Sequence, residues 1–438
     1  MLIPNANYRD CDAWRKEGLA MSTTSNEACK LYDVVLSQHV GWYENEAYGG
    51  LEASIKSMIN ADEDFVLGHV LQSGIELIGS SSYLSNPHHY DQVSRLVKLT
   101  RKSSLTKREK SHVEAIKNLY DGNVNVACDY WEEILVENPT DLMALKFAHD
   151  IYFYTGSHTR MRDSVARVLP YWKPTQSMYN YLYGMHSFGL VQTNFFIEAE
   201  KAAQKSLELN SRDGWATHTL CHVYEYRSDC ETGIKFLRKT EDDWKECTFI
   251  ATHNYWHLAL YHLDKGDHES ALDLFDENIS SCLAANRTLD LVDLAQLLYR
   301  LKLDCTTCEL RERWQRLRTV FESRVNDHAY TFNDMHVLMI LNACNETAKK
   351  QSFYESLEKY LEQKEEQFCV QVDSCNNIVK HSGEVNFLKG VNQRFAADIF
   401  DSICHFDKGE FSKVVDKLYP IRYGNFSLKN NFTFLVKM

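Results

Sequence analysis

Residues suited to a tight turn recur at a near-constant interval through the middle of the chain. Gly122, Gly156, Asn194, Ser228 and Gly266 follow one another at intervals of 34, 38, 34 and 38 residues. Stretches with apolar residues at helical spacing run between them, as in Val126, Ala127, Trp131, Ile134 and Leu135. A small residue follows five positions after three of the turns, at Ala127, Ala199 and Ala271, and such residues let two helices approach closely. Met161 and Gly233 hold the equivalent places after Gly156 and Ser228.

An interval near 34 residues, built from a helix pair with a small residue at its turn, is the tetratricopeptide signature. It predicts an all-α chain: a tetratricopeptide-like superhelix (α-solenoid) of stacked antiparallel helix pairs, each touching only its neighbours. The pattern is clearest over 106–285 and extends over 26–423. Residues 1–25 read as an irregular lead-in, closed by the helix-start cluster Thr23-Thr24-Ser25-Asn26-Glu27. Thr106-Lys107-Arg108-Glu109 has the form of a capping box, and Asn138-Pro139 stops a helix because proline cannot continue the ladder. Helices are also expected over 289–303, 314–324, 331–343, 353–368, 396–406 and 411–418, the last two around a turn at Lys408-Gly409.

The formal charge of −13 argues against nucleic acid and anionic membranes as partners, since both select a basic face. No apolar run reaches the 18 or so residues of a membrane span. Hydrophobic residues make up 44% of the chain and charged residues 25%, a balance that suits a folded protein and excludes wholesale disorder. The thirteen cysteines lack framework spacing, and polar residues directly follow Met1-Leu2-Ile3-Pro4. Free thiols and a cytoplasmic location are therefore expected. Cys305-Thr306-Thr307-Cys308 is a CxxC without a second pair, so no metal or redox use is expected of it. Asn286-Arg287-Thr288 and Asn345-Glu346-Thr347 match glycosylation acceptors by chance on this view.

Five segments in combination resemble the tetratricopeptide repeat protein 38 family. They are residues 22–29 (STTSNEAC), 145–150 (LKFAHD), 161–165 (MRDSV), 253–257 (HNYWH) and 420–423 (PIRY). The resemblance runs from about residue 8 to 423 and implies an all-α superhelix without an established enzymatic activity. After Tyr423 the chain departs from the family, so 424–438 is read as an atypical tail of a truncated or alternative product. Without a polar capping helix, an exposed apolar end is expected.

Candidate binding residues follow from counting back from the turns, because the first helix of each pair lines the groove. Lys146, Asp150 and Tyr154 precede Gly156, His218, His222 and Glu225 precede Ser228, and His253 and His257 precede Gly266. The motif Ala-Thr-His-x-x-x-His occurs twice, at 216–222 and 251–257, which puts each histidine pair on one helix face. Such a wall suits hydrogen bonding to a protein or extended peptide partner, with no cofactor and no catalytic residue. In the alternative reading His218, His222, His253 and His257 bind a metal in a metal-dependent, hydrolase-like protein. Against the hydrolase, no His-Glu-x-x-His is present, since Thr219 and Asn254 follow the leading histidines. The bland reading of the four is hydrogen-bonded packing beside Trp215, Tyr224, Tyr255 and Trp256.

His149-Asp150 and Asp334-x-His336 could each orient an imidazole on a carboxylate. No nucleophile elbow or phosphate loop accompanies them. A chaperone-tail clamp would match Lys146, but Asp150 puts a negative charge where an anion should sit, so that partner is disfavoured.

Overall fold

A computed structural model describes residues 8–79, 87–101, 104–285, 287–326, 328, 331–362, 369–372, 378–381 and 398–421. These residues are almost wholly α-helical, and consecutive helices pack in pairs, as an α-solenoid requires. Two short strands, Cys369–Val372 and Ile378–His381, pair antiparallel. The chain forms two compact units, one of 1–223, 242–250 and 367–384, the other of 224–241, 251–366 and 385–438.

In the first unit, α1 (Cys11–Lys16) lies inside the stretch that reads as irregular from its sequence, capped by the Asp10 side chain. Helices α2 (Asn26–Gly41) and α3 (Gly50–Ala61) pack together, as do α4 (Val66–Gly79) and α5 (Pro87–Leu99). The next pairs are α6 (Lys107–Tyr120) with α7 (Val124–Glu137), α8 (Leu142–Tyr154) with α9 (His158–Val168), and α10 (Tyr179–Gln192) with α11 (Phe196–Leu209). Helix α12 (Gly214–Tyr226) starts in this unit. Ser25 caps α2 and Thr106 forms the full capping box with Glu109 at the start of α6, both where the sequence places them. Trp131, Phe147, Tyr152 and Phe188 are fully buried and fill the spaces between pairs.

The second unit continues with α13 (Cys230–Lys239) and α15 (Thr248–Asp264), between which the short α14 (Glu241–Trp244) intervenes in sequence. Helix α16 (His268–Leu274) runs into a π-helical turn, Phe275–Ile279. Helices α17 (Thr288–Asp304), α18 (Arg311–Phe321), α19 (Thr331–Ala343) and α20 (Thr347–Glu362) follow. They end with α21 (398–407) and α22 (Phe411–Leu418). The expected helix over 353–368 thus begins earlier, at Thr347, and 363–368 lies outside the described residues, as does the tail 424–438. Phe411, Val415 and Tyr419 recur every four residues and are 57–59% exposed, which gives α22 an apolar outer face.

The turns share one geometry. Gly122, Gly156, Asn194, Ser228 and Gly266 have φ of 79°, 68°, 67°, 55° and 74°. This is the left-handed region that glycine enters freely and asparagine enters more readily than most residues. In each turn the following amide donates back five residues to a helix carbonyl, for example Asn123 N to Asn118 O at 2.8 Å and Asp267 N to His262 O at 2.9 Å. That bond satisfies a carbonyl the helix end would leave orphaned. Asn345 (φ 56°) closes the same turn between α19 and α20, and Gly409 (φ 71°) does so before α22.

Ala127, Met161, Ala199 and Ala271 are completely buried at the helix crossings. At Gly233 an added methyl would lie 2.5 Å from the ring of Tyr261, itself fully buried. Gly233→Ala is therefore expected to lower stability by about 1–2 kcal/mol, as overpacking exceeds the gain in helix propensity. A thermal melt checks this, and a raised midpoint would show that the ring gives way.

One expectation is corrected. Cys305 and Cys308 are joined in a disulfide, with an S–S distance of 2.03 Å, because the chain turns sharply after α17 and brings the two Cα atoms to 5.6 Å. The CxxC is therefore not a pair of free thiols.

Candidate functional site

In the first unit the candidate residues line up on α2, α8 and α12. Lys146 and Asp150 sit one turn apart on α8, both buried, and their side chains form an ion pair. Burial lowers the Lys146 pKa while the Asp150 carboxylate opposes it. Burial also pushes Asp150 up, but the Lys146 ammonium overrides this and holds it at about 2. The Lys146 ammonium lies over the rings of Trp42 (5.3 Å) and Trp215 (5.7 Å), a cation–π arrangement. His39 stands 3.6 Å from Asp150, and burial drives its pKa down to about 3. Lys146 thus spends its charge internally.

Around that pair runs an aromatic wall. Trp42 is the left-handed cap of α2 (φ 52°) and meets Trp215 at 4.4 Å between centroids. Phe188 joins Trp215 at 4.9 Å and His218 at 5.2 Å, and the His218 ring meets that of His222, tilted, at 4.5 Å. Tyr154, also a candidate, is half-buried on α8, and burial raises its pKa. Trp42, His39 and Phe188 escaped the sequence reading. The count back from a turn finds residues on the first helix of a repeat, but not the cap of a distant helix.

In the second unit α15 presents His253 and His257, whose rings meet edge to face at 4.8 Å. Trp256 stacks on His253 at 5.0 Å. His253 Nδ1 donates to Asp293 of α17 at 2.8 Å, and this pairing raises its pKa against the effect of burial. His257 Nδ1 is 3.9 Å from Glu225. Asp290 is buried beside Arg287 and Asp293, and burial pushes its pKa up to about 6 despite Arg287.

The two dyads suspected from sequence look different in space. His149 Nδ1 is 3.9 Å from Asp150, while its Nε2 faces the Met185 carbonyl at 3.2 Å. Asp334 meets His328 at 3.1 Å, and His328 Nε2 meets Ser356 Oγ at 2.8 Å. Ser356 Oγ donates its one proton to the Phe353 carbonyl at 2.9 Å.

Paired helices with left-handed turns and small residues at the crossings define an α-solenoid of the tetratricopeptide type. No protein-family model matches the chain. Among solved structures it is similar to the crystal structure of Rap protein complexed with competence and sporulation factor. The identity is 13%, the match covers 76% of this chain and 98% of that one, and the TM-score is 0.45. Among the described residues, no helix is long and apolar enough to cross a membrane.

Proposed function

We propose that this chain is a cytoplasmic scaffold of the tetratricopeptide repeat protein 38 family that binds an extended segment of a partner protein. The first helices of its repeats would make the contact, through Lys146, Asp150, Tyr154, His218, His222, Glu225, His253 and His257. The carrying observation is the wall of Trp42, Trp215, Phe188 and His218 around the buried Lys146–Asp150 pair. Aromatic surface with fixed polar groups beside it is what peptide-binding faces are made of, since rings offer large contact area at small entropic cost. The segments that resemble the family supply the family assignment, and two of them, 145–150 and 253–257, contribute to these faces.

Photo-crosslinking tests this reading directly. A crosslinking residue at Tyr154 or His222 is expected to trap a defined partner peptide from cytosol. The same residue at Gln204, exposed on α11, is expected to trap none. Equal trapping at the three positions, or trapping only at Gln204, would overturn the assignment of the binding face.

A further inference from the structure

We propose that Cys11, Met21 and Cys29 form a sulfur site for a soft monovalent cation, with copper(I) the ion it suits best. All three lie in the first unit. Cys11 opens α1, Met21 lies on the segment between α1 and α2, and Cys29 stands near the start of α2. The Cys29 sulfur is 3.4 Å from that of Cys11 and 3.9 Å from that of Met21, so one sulfur touches both others. Two thiols and a thioether are soft donors, and soft donors select copper(I). Zinc instead takes four ligands drawn from thiolate, imidazole and carboxylate, and here a thioether stands in the third place.

Metal–sulfur bonds of about 2.3 Å put the corners of a planar trigonal site roughly 4 Å apart. The Cys29–Met21 separation already meets this. The two thiols need to part by only about 0.6 Å, which small rotations about χ1 supply. Cys29 is fully buried, while Cys11 and Met21 are half-buried and give the ion a way in. Burial raises the Cys29 pKa, and the contact with Cys11 adds to it. That sulfur therefore carries a proton until a metal displaces it. One copper(I) and two thiols give a bis-thiolate complex, with the thioether as third donor, and two protons leave to solvent. No electron is transferred.

A second observation is independent of the sulfurs. The segment that brings Met21 to Cys29 is fixed on both sides of that residue. Arg108 of α6 donates to the Leu19 and Ala20 carbonyls at 3.0 and 3.1 Å, and the Ser22 amide donates to the Glu109 carboxylate at 2.8 Å. The Cys11 amide donates to the Asn26 side chain at 3.1 Å, which ties α1 to the start of α2. Groups that are not themselves ligands thus hold the three sulfurs in place, and such support lowers the cost of ordering a metal site. The carboxylates whose charge reaches Cys29 are already engaged. Asp10 caps α1 by accepting from the Ala13 amide at 2.9 Å, and Asp33 accepts from Arg9 at 2.6 Å.

The test uses the purified full chain, reduced and kept free of oxygen, titrated with copper(I) against a chromophoric copper(I) chelator. One copper(I) per chain is expected to resist the chelator, and X-ray absorption at the copper edge should show three sulfur neighbours. Cys11→Ser and Cys29→Ser are each expected to lose that ion. Met21→Leu keeps both thiols and should lower the sulfur count from three to two. Cys230→Ser/Cys344→Ser removes two half-buried thiols elsewhere and should leave binding unchanged. Should Cys29→Ser fail to fold by circular dichroism, Cys11→Ser and Met21→Leu carry the test. The inference is overturned if folded, reduced wild-type chain retains no copper(I), or if folded Cys11→Ser holds it as the wild type does. It is equally overturned if Met21→Leu still shows three sulfurs, or if the ion is lost from Cys230→Ser/Cys344→Ser.

Discussion

Asp141→Ala is expected to lower the stability of the chain by about 3–5 kcal/mol, the usual result of stripping one member from a buried ion cluster. Asp141 is buried and accepts from Arg108 at 2.8 Å and from His112 Nε2 at 3.0 Å. It also caps α8 by accepting from the Ala144 amide at 3.0 Å. Arg108 in turn donates to the Leu19 and Ala20 carbonyls, tying the start of the chain to α6. Removal of the carboxylate leaves a buried guanidinium without its counter-charge and an uncapped helix at once. Urea unfolding followed by circular dichroism measures the loss. Asp141→Asn, which keeps a capping oxygen, should lose less than alanine. A loss under 1 kcal/mol in Asp141→Ala would show that Arg108 and His112 find other partners.

The same residue predicts an acid limb. Burial alone would raise the Asp141 pKa, but His112 and Arg108 override it and hold the carboxyl well below the usual carboxylate range. A depressed folded value means the contribution is complete above the unfolded value of about 3.9 and fades as the pH falls toward the folded one. Wild-type stability should therefore fall more steeply than that of Asp141→Ala below about pH 4.

The second large effect concerns Lys146 and Asp150. Asp150→Ala should lower stability by about 3–5 kcal/mol, because Lys146 is left charged in a buried site or must give up its proton. The paired replacement Lys146→Met/Asp150→Leu should be neutral or stabilising by about 1–4 kcal/mol, since no charge then needs to be desolvated. The Lys146 ammonium also loses its place over Trp42 and Trp215, which tempers the gain by about 0.5–2 kcal/mol. Comparison of unfolding midpoints for the two variants decides whether the pair acts as one unit. If both variants fall equally, the cation–π contacts and not the ion pair set the energetics. A folded double variant that no longer crosslinks a partner at Tyr154 would tie the pair to recognition as well.

The repeat was legible in the sequence wherever a local backbone demand selected the residue. Gly122, Gly156, Asn194, Ser228 and Gly266 all stand at left-handed turns, a conformation few side chains accept, so composition betrays position. Ala127, Ala199 and Ala271 mark helix crossings for the same kind of reason, since only small residues fit there. Thr106 and Glu109 announce a helix start because their capping bonds close within three residues. Asn345 makes the same turn as the others, yet the regular interval fades before it and nothing nearby singles it out.

Sequence alone therefore determined the helix pairs, their period and the two histidine pairs on first-helix faces, because these depend on interactions within a few residues. Only the tertiary structure decided which distant groups meet: Asp141 with Arg108 and His112, Trp42 with Trp215, His253 with Asp293, and Cys305 closed onto Cys308. Most of those contacts join separate helices, and a period says which face a side chain occupies but not what stands opposite. The direction of each side chain across a helix–helix contact is settled by packing, and packing is a property of the whole unit.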